Sequence, residues 1–299
     1  MSSLKEIKGR IASIKSTKQI TSAMKLVASS KLYKAQLQTE RFLPYERHIS
    51  TIFNDFLSGY NTEECISSVF AETRIIKRVA IVCLSSNSSM CGAFNSHIIH
   101  LLNDRIQMYC EQNCEIEIYP IGKKIETAAR KLTDIAEIKG SYISLMDKPD
   151  YDGAKEIADS LLNDFVARKI DRVDLIYNHF KSVGVQIPTN EPFLPVVLSS
   201  RKEGKHIPTD YLIEPDRKTM VESLIPCSLR NKIYAILLDS STAEHAARTM
   251  AMQIATDNAD KILGELTIQY NKQRQHAITS ELLDIIGSSE AQKESLFIT

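Results

Sequence analysis

Leu229-Arg-Asn-Lys-Ile-Tyr-Ala-Ile-Leu-Leu-Asp-Ser-Ser-Thr-Ala-Glu-His-Ala-Ala-Arg-Thr-Met-Ala-Met-Gln-Ile254 is the stretch that decides the architecture. Leu229, Ile233, Ile236, Ser240, Ala243, Ala247, Met250 and Ile254 follow one another in alternating steps of four and three. That spacing marks the seam of a helix underwound against a partner. Residues 227–286 contain no proline, and Gly264 is their one glycine. A helix from Leu229 to Ile286 would be roughly 85 Å long at ~1.5 Å per residue, whereas an ordinary globular helix has about 11–12 residues. Past Ile254 the stripe moves to four-residue steps, Asn258, Ile262, Leu266 and Tyr270, which predicts a changed supercoil. The helix is expected to start near Asp216 and to bend at Pro226.

The other end of the chain reads the same way. Residues 1–43 have no proline and one glycine, Gly9. Leu4, Ile7, Ile11, Ile14, Lys18, Thr21, Lys25, Ala28, Leu32 and Ala35 keep heptad spacing. The first two heptads are aliphatic, and the next two are small or polar. A self-sufficient coiled coil would keep Leu or Ile throughout. Thr21 and Ala28 therefore predict close approach of another helix, or contact with something other than a simple partner. Pro44 should kink or end this helix, with a second apolar stretch (Ile49, Ile52, Phe53, Phe56, Leu57) up to Gly59-Tyr60-Asn61.

Between these ends the period changes. Val79-Ala-Ile-Val-Cys-Leu84 is a continuous apolar run, as in a strand buried on both faces. A Ser/Asn-rich turn, Ser85–Ser89, leads to a helix carrying Phe94, Ile98, Leu102, Ile106 and Tyr109 on one face. Cys114–Ile121 alternates like a strand, 123–131 reads as a short helix, and Asp150–Arg168 is amphipathic with Ala154, Ile157, Leu161 and Phe165. Val173–Phe180 and Val183–Val197 read as strands, the last pushed to a sheet edge by Pro188, Pro192 and Pro195. Alternating strands and helices indicate an α/β layer fold with a mostly parallel sheet. Arg201–Pro215 reads as a polar connection.

The expected organisation is an N-terminal coiled-coil helix over 1–60, a Rossmann-like α/β domain over 75–200, and a C-terminal coiled-coil helix over 210–299 that packs with the first. One long helix enters the inserted domain and the other leaves it, so a paired arrangement is antiparallel. The C-terminal helix is the longer. Ile278, Leu282, Leu283, Ile285 and Ile286 should then run beyond the end of the first helix. Leaving them wet is costly at about 25 cal/mol per Å². An apolar tip on a thin rod predicts a socket in another protein.

The bulk numbers narrow the class. The 299 residues are 43% hydrophobic, as in a soluble globular protein. The 37 basic and 37 acidic residues cancel, so no overall charge draws the chain to nucleic acid. From Lys5 to Lys34, however, eight basic residues face one acid, Glu6. That asymmetry points to an acidic partner or a solvated face. No run of 18 apolar residues suggests a membrane span, and Met1-Ser-Ser-Leu-Lys-Glu6 lacks the pattern of a signal or transit segment. Cys110 and Cys114 are the only close cysteine pair, with no second pair to complete a zinc site.

No phosphate-loop, dinucleotide-binding, zinc-protease or nucleophile-elbow motif occurs. His97 and His100 share a helix face without an accompanying carboxylate, as surface residues do. The segment Ser85–Asn95, between a buried strand and a helix, is where α/β enzymes bind ligands, and Cys91 near a helix start is a conceivable nucleophile. The bland alternative is a tight turn that uses Gly92. With no base placed nearby, the turn is the stronger reading. No catalytic, cofactor or metal residue is expected.

Ile11-Ala-Ser-Ile-Lys-Ser-Thr-Lys-Gln-Ile-Thr-Ser-Ala-Met-Lys-Leu-Val-Ala-Ser-Ser-Lys31 resembles the N-terminal signature of the gamma subunit family of F-type ATP synthase. Glu244–Ala259, Tyr270–Leu283 and Met90-Cys-Gly-Ala-Phe-Asn95 are similar to further blocks of that family, in the same order over nearly the whole chain. The resemblance implies a rotor shaft without an active site. Its partners would be a hexamer of alpha and beta subunits, an epsilon subunit and the ring of membrane c subunits, with one shaft per complex. Proton flow through the ring would turn the shaft and drive the beta sites through ATP synthesis. It implies contacts with alpha and beta through Lys15, Lys18, Met24, Lys25, Arg274, Gln275, Thr279 and Glu281, and an apolar bearing at Ile278, Leu282, Leu283, Ile285 and Ile286. It also implies a peripheral place on the cytoplasmic face of a bacterial inner membrane, reached through the complex, and no nucleic acid.

The chain departs from the family in places. The family's central loop usually reads S-D-[KR]-G-L, whereas this chain has Ser86-Asn-Ser-Ser-Met90, without the acid, the base or the first glycine. Thr249 follows Arg248 where the family often has methionine, and residues 290–299 extend past the usual end. No cysteine-bearing insert appears near 200–220. The competing readings are an α/β enzyme or nucleotide-binding protein with a coiled-coil assembly arm, and a static helical adaptor. The missing phosphate loop disfavours the former.

Overall fold

The computed structural model describes the backbone of residues 4–58, 70, 72–196 and 217–297, and their side chains except those of 53–58, 217–222 and 288–297. The Gly59-Tyr60-Asn61 turn, the connection Arg201–Pro215, and Cys65 lie outside the described residues, as do the side chains of Phe53, Phe56 and Leu57.

Helix α1 (Leu4–Ser58) is followed by β1 (Arg78–Leu84), α2 (Phe94–Glu111), β2 (Glu115–Ile121), α3 (Lys123–Ala129) and β3 (Ala136–Ile138). Then come α4 (Ile143–Asp147), α5 (Tyr151–Val166), β4 (Arg172–Ser182), β5 (Val185–Leu194) and α6 (Arg217–Phe297). The two terminal helices are 55 and 81 residues long. Pro44 lies inside α1 and Pro226 inside α6. Pro44 is exposed, so the carbonyl it leaves without an amide can be met by water, and the helix does not end there. β3 and α4 fall in a stretch where the sequence showed no pattern.

The chain forms two compact units, one of residues 1–27 with 251–299 and one of residues 28–250. The second unit holds the sheet, in order β3-β2-β1-β4-β5. β3, β2, β1 and β4 are mutually parallel, and β5 runs antiparallel to β4 at the edge. The continuous apolar run of β1 has its reason here. Ala80, Val82 and Leu84 point to one face, Val79, Ile81 and Cys83 to the other, and both faces are covered. On the second face lie Ile98, Leu102, Ile106 and Tyr109 of α2 with Ile125 and Ala129 of α3.

The first face is covered by Ala154, Ile157, Leu161 and Phe165 of α5 and by Ile225, Leu229, Ile233, Ile236 and Leu237 of α6. Leu229, Ile233 and Ile236, read as a coiled-coil seam, therefore pack on the sheet core. α6 is also met by α1 in this unit, where Phe42 stacks edge-on to Tyr234 with ring centroids 4.8 Å apart. Ala28, Leu32 and Ala35 of α1 are buried. A helix covered from two sides cannot keep a single narrow stripe, and residues 236–238 and 240–244 are buried in succession. α5 is capped by Asp150, whose carboxylate accepts from the Gly153 amide at 2.6 Å.

Candidate functional site: the helix pair, its exposed end and the loop after β1

In the unit of residues 1–27 and 251–299, α1 and α6 are antiparallel. Thr21 Oγ1 lies 2.9 Å from Thr256 Oγ1, and Lys18 Nζ lies 2.5 Å from Asp260 Oδ1. Stepping back along α1 means stepping forward along α6. On α1 the expected stripe holds: Ile7 is buried, and Leu4, Ile11, Ile14, Lys18, Thr21 and Lys25 are half-buried. On α6 the expected one does not. Met250 and Ile254 are exposed, as are Asn258 and Ile262. The residues facing inward are Met252, Thr256, Ala259, Leu263, Leu266 and Tyr270. These keep alternating steps of four and three, so the expected drift to four-residue steps is also corrected. The Thr21–Thr256 and Lys18–Asp260 contacts set this register, and the aliphatics at 254 and 262 fall outside it.

The threonines form a repeated device. Thr21 Oγ1 lies 3.0 Å from the Lys18 carbonyl and Thr256 Oγ1 2.8 Å from that of Met252. Each hydroxyl has one proton, so one donates within its own helix and the other across the seam. In the other unit Thr39 and Thr242 repeat the arrangement, with oxygens 3.2 Å apart and the carbonyls of Ala35 and Leu238 as local acceptors. Thr21 was recognised as unusual from sequence. Its partner Thr256, and the Thr39–Thr242 pair, carried no signal except as small residues in long helices.

Carried to Leu4 at the start of α1, this register ends near Gln273. Among the described side chains, Gln273 and Ala277 are the last half-buried positions of α6, and every one from Ile278 to Gly287 is exposed. Ile278, Leu282, Leu283, Ile285 and Ile286 are 49–63% exposed. Arg274, Gln275, Thr279 and Glu281 are exposed on the same stretch, and Thr279 Oγ1 donates to the Gln275 carbonyl at 2.9 Å. Lys15 is exposed, Met24 and Lys25 are half-buried, and Lys18 is already engaged by Asp260.

The loop after β1 belongs to the other unit and is held by buried polar contacts. Ser85 and Ser86 are fully buried. The Ser85 hydroxyl accepts from the Ile125 amide at 2.8 Å, and the Ser86 amide donates to Asn95 Oδ1 at 3.1 Å. A Cβ on Gly122 would stand 2.1 Å from the Ser85 carbonyl oxygen, and its φ is +106°, so only glycine fits. Met90 and Gly92 take positive φ, but Ser89, where the family has glycine, does not. Replacing that glycine therefore adds no left-handed strain at 89. Arg248 of α6 donates to Ser88 Oγ at 2.8 Å and to Glu244 at 2.6 Å.

Cys91 is 1% exposed. Its sulfur meets Asn95 Nδ2 at 3.1 Å and Ser86 Oγ at 3.6 Å, neither of them a base, and the segment reads as the tight turn. His97 and His100 are exposed. Cys83, Cys91, Cys110, Cys114 and Cys227 are free thiols. Among the described residues no cluster suited to a metal occurs, and no helix is long and apolar enough to cross a membrane. Burial pushes the Cys83 thiol well up. His245, half-buried on α6 beside Arg248 and Lys31, is held down to about 4 by burial first and by those two charges second.

Comparison with known proteins finds relatives over nearly the whole length. A family model described as ATP synthase matches residues 3–292. The chain is 53% identical over 297 residues to the ATP synthase gamma chain of Azobacteroides pseudotrichonymphae genomovar. CFP2, covering 98% of this chain and 100% of that one. It is 50% identical to the gamma chain of a Bacteroides fragilis strain, covering 97% and 100%. Among solved structures, a chain of the Euglena gracilis mitochondrial ATP synthase (OSCP/F1/c-ring) is similar with a TM-score of 0.66 at 20% identity, over 97% of this chain and 94% of that one. A chain of the Tetrahymena thermophila mitochondrial ATP synthase central stalk and c-ring gives 0.59 at 22% identity, over 79% and 99%. At these identities the structural likeness speaks to the fold.

Proposed function

The chain belongs to the ATP synthase gamma chain family, and on that premise we propose that it is the central rotor shaft of an F-type ATP synthase. It couples ion flow through a membrane c-ring to the cycling of catalytic sites carried by other subunits. One copy stands in a hexamer of alpha and beta subunits, with an epsilon subunit and the c-ring as its other partners. It has no active site of its own. It is peripheral to the membrane, on the cytoplasmic face of a bacterial inner membrane, and the Bacteroides and Azobacteroides relatives support that setting.

The observation that carries the reading is the exposed aliphatic end of α6. Five large aliphatic residues between Ile278 and Ile286 stand beyond Ala277, the last half-buried position among the described side chains. Exposed apolar clusters of that kind mark interaction sites. A bearing in the alpha/beta hexamer is the proposed socket. Lys15, Met24, Lys25, Arg274, Gln275, Thr279 and Glu281 are the proposed contacts with the hexamer, all of them polar except Met24, and Lys18 contributes through its pair with Asp260. Polar contacts can exchange among equivalent partners as a shaft turns, where deep apolar grips would resist. The residues proposed for the two helices are 1–60 and 210–299, and for the α/β base 75–200.

Assembly with alpha and beta subunits tests the reading. The chain alone should hydrolyse no ATP, and the reconstituted complex should be active. A disulfide from Lys25→Cys to an acidic loop of beta should stop turnover, and reduction should restore it. Turnover that continues through the cross-link would defeat the rotor assignment.

A further inference from the structure

We propose that the cleft between the loop after β1 and helix α3 binds a small multiply charged phosphate anion. The cleft has a volume of about 520 Å³ and lies at the carboxyl ends of the parallel strands β1 and β2, where α/β sheets bind ligands. Lys123, Lys124 and Lys131 line it together with Ser88 and Ser89, and among the described residues no carboxylate lines it. Among the described residues, none of the three lysines forms an ion pair. The acid of the same helix, Glu126, is turned inward at 6% exposure and is satisfied by Arg130 at 2.6 Å and Ser141 at 2.8 Å. Three ammonium groups on one wall repel each other, and an anion between them removes that repulsion.

The frame of the cleft is fixed before any ligand arrives. Asn87 accepts from the Lys123 amide and donates to the Ile143 carbonyl, both at 2.9 Å. The amides of Lys124 and Ile125 are taken by Ser86 and Ser85. The first amides of α3 are therefore already used, and the ligand is held by side chains: three lysine amines and the serine hydroxyls. Arg248 donates to Ser88 Oγ, which leaves the Ser88 proton free to donate in turn. Among the described residues the apolar lining is limited to Ile99 and Ala128, with no aromatic ring on which a base could stack. The recognised group is thus phosphate itself, as in inorganic pyrophosphate or the tail of a phosphorylated metabolite. This site does not depend on the rotor reading.

Titration calorimetry of the full chain with inorganic pyrophosphate at low salt tests it, with sulfate at equal ionic strength as the reference. One saturable site is expected, weakened by added salt. K123Q/K131Q should raise Kd about tenfold or more, since each charge-assisted hydrogen bond contributes that much. The circular dichroism spectrum and melting temperature should stay unchanged, because both lysines are exposed. ADP should bind no more than about tenfold tighter than pyrophosphate. Absence of saturable heat, equal binding of sulfate, or binding indifferent to K123Q/K131Q would overturn the proposal. So would a lysine-dependent interaction with phosphatidylglycerol vesicles or a glutamate-rich peptide in the absence of pyrophosphate binding, since the cleft would then serve a membrane or a protein.

Discussion

Residues 229–247 and residues 278–287 of α6 are both rich in aliphatic side chains, yet they live in opposite environments. Leu229, Ile233, Leu237 and Leu238 are at most 6% exposed, while Leu282, Leu283, Ile285 and Ile286 are at least 54% exposed. In the first stretch burial against the sheet and α1 explains the apolar residues through stability. In the second the side chains stand mostly in solvent, and stability does not explain their apolar character. The same residue types thus report folding in one place and partnership in the other, and only covering elements distinguish the two.

The widest separation should come from truncating an aliphatic in each stretch. Leu237→Ala, at a fully buried site on the sheet face, should cost about 2–5 kcal/mol in urea unfolding of the full chain. A loss below about 1 kcal/mol would contradict the two-sided burial of this part of α6.

His245 gives the next effect. Its folded pKa, about 4, lies below the ordinary 6.5, so the unfolded chain binds the extra proton between those values. Its contribution is fully present above pH 6.5 and is lost as pH falls toward 4, on the order of 2 kcal/mol after allowance for partial exposure. Glu244 and Asp239 are raised by burial and tilt the opposite way, so the informative quantity is the difference between the native chain and His245→Gln. Parallel stability curves for the two between pH 7 and 4.5 would contradict the burial of His245.

The threonine pairs should matter less. Thr39→Val and Thr242→Val should each cost about 0.5–1.5 kcal/mol, because the remaining hydroxyl keeps its helix carbonyl. A double-mutant cycle should show a coupling of about 0.5–1 kcal/mol. Smallest of all, Leu283→Ser should move the unfolding midpoint of the isolated chain by less than about 0.5 kcal/mol, while reducing coupled ATP synthesis in the assembled complex. A large stability loss there would place Leu283 in the fold and remove the argument for a socket.

Much of this could be read from sequence because long helices and double-buried strands leave strong periodic traces. The α1 stripe, β1, α2, α5 and the edge position of β5 follow directly from spacing and proline placement. The inward face of α6 past Ala247 did not. Ile254 and Ile262 look like seam residues, whereas Thr256 and Ala259, which make the seam, do not attract notice. Hydrophobicity is a poor guide where helices approach through small side chains, since the closest contacts are then made by residues with the least apolar surface. β3 was missed because three residues cannot establish a period. The lysine-lined cleft was invisible because its parts come from separate segments, joined only when β1 and β2 pair.

Pro188 and Pro192 on β5 have a consequence beyond marking an edge. They pair with Asn178 and Asp174 of β4 and share one ladder parity, so both ring nitrogens face the same way, and a strand tolerates proline where that nitrogen faces away from the sheet. An open edge normally offers a row of amide donors to any passing strand. Here that row is interrupted twice within five residues. A freshly made chain awaiting its companions at high local concentration therefore presents an edge on which a second copy cannot crystallise into a growing ribbon.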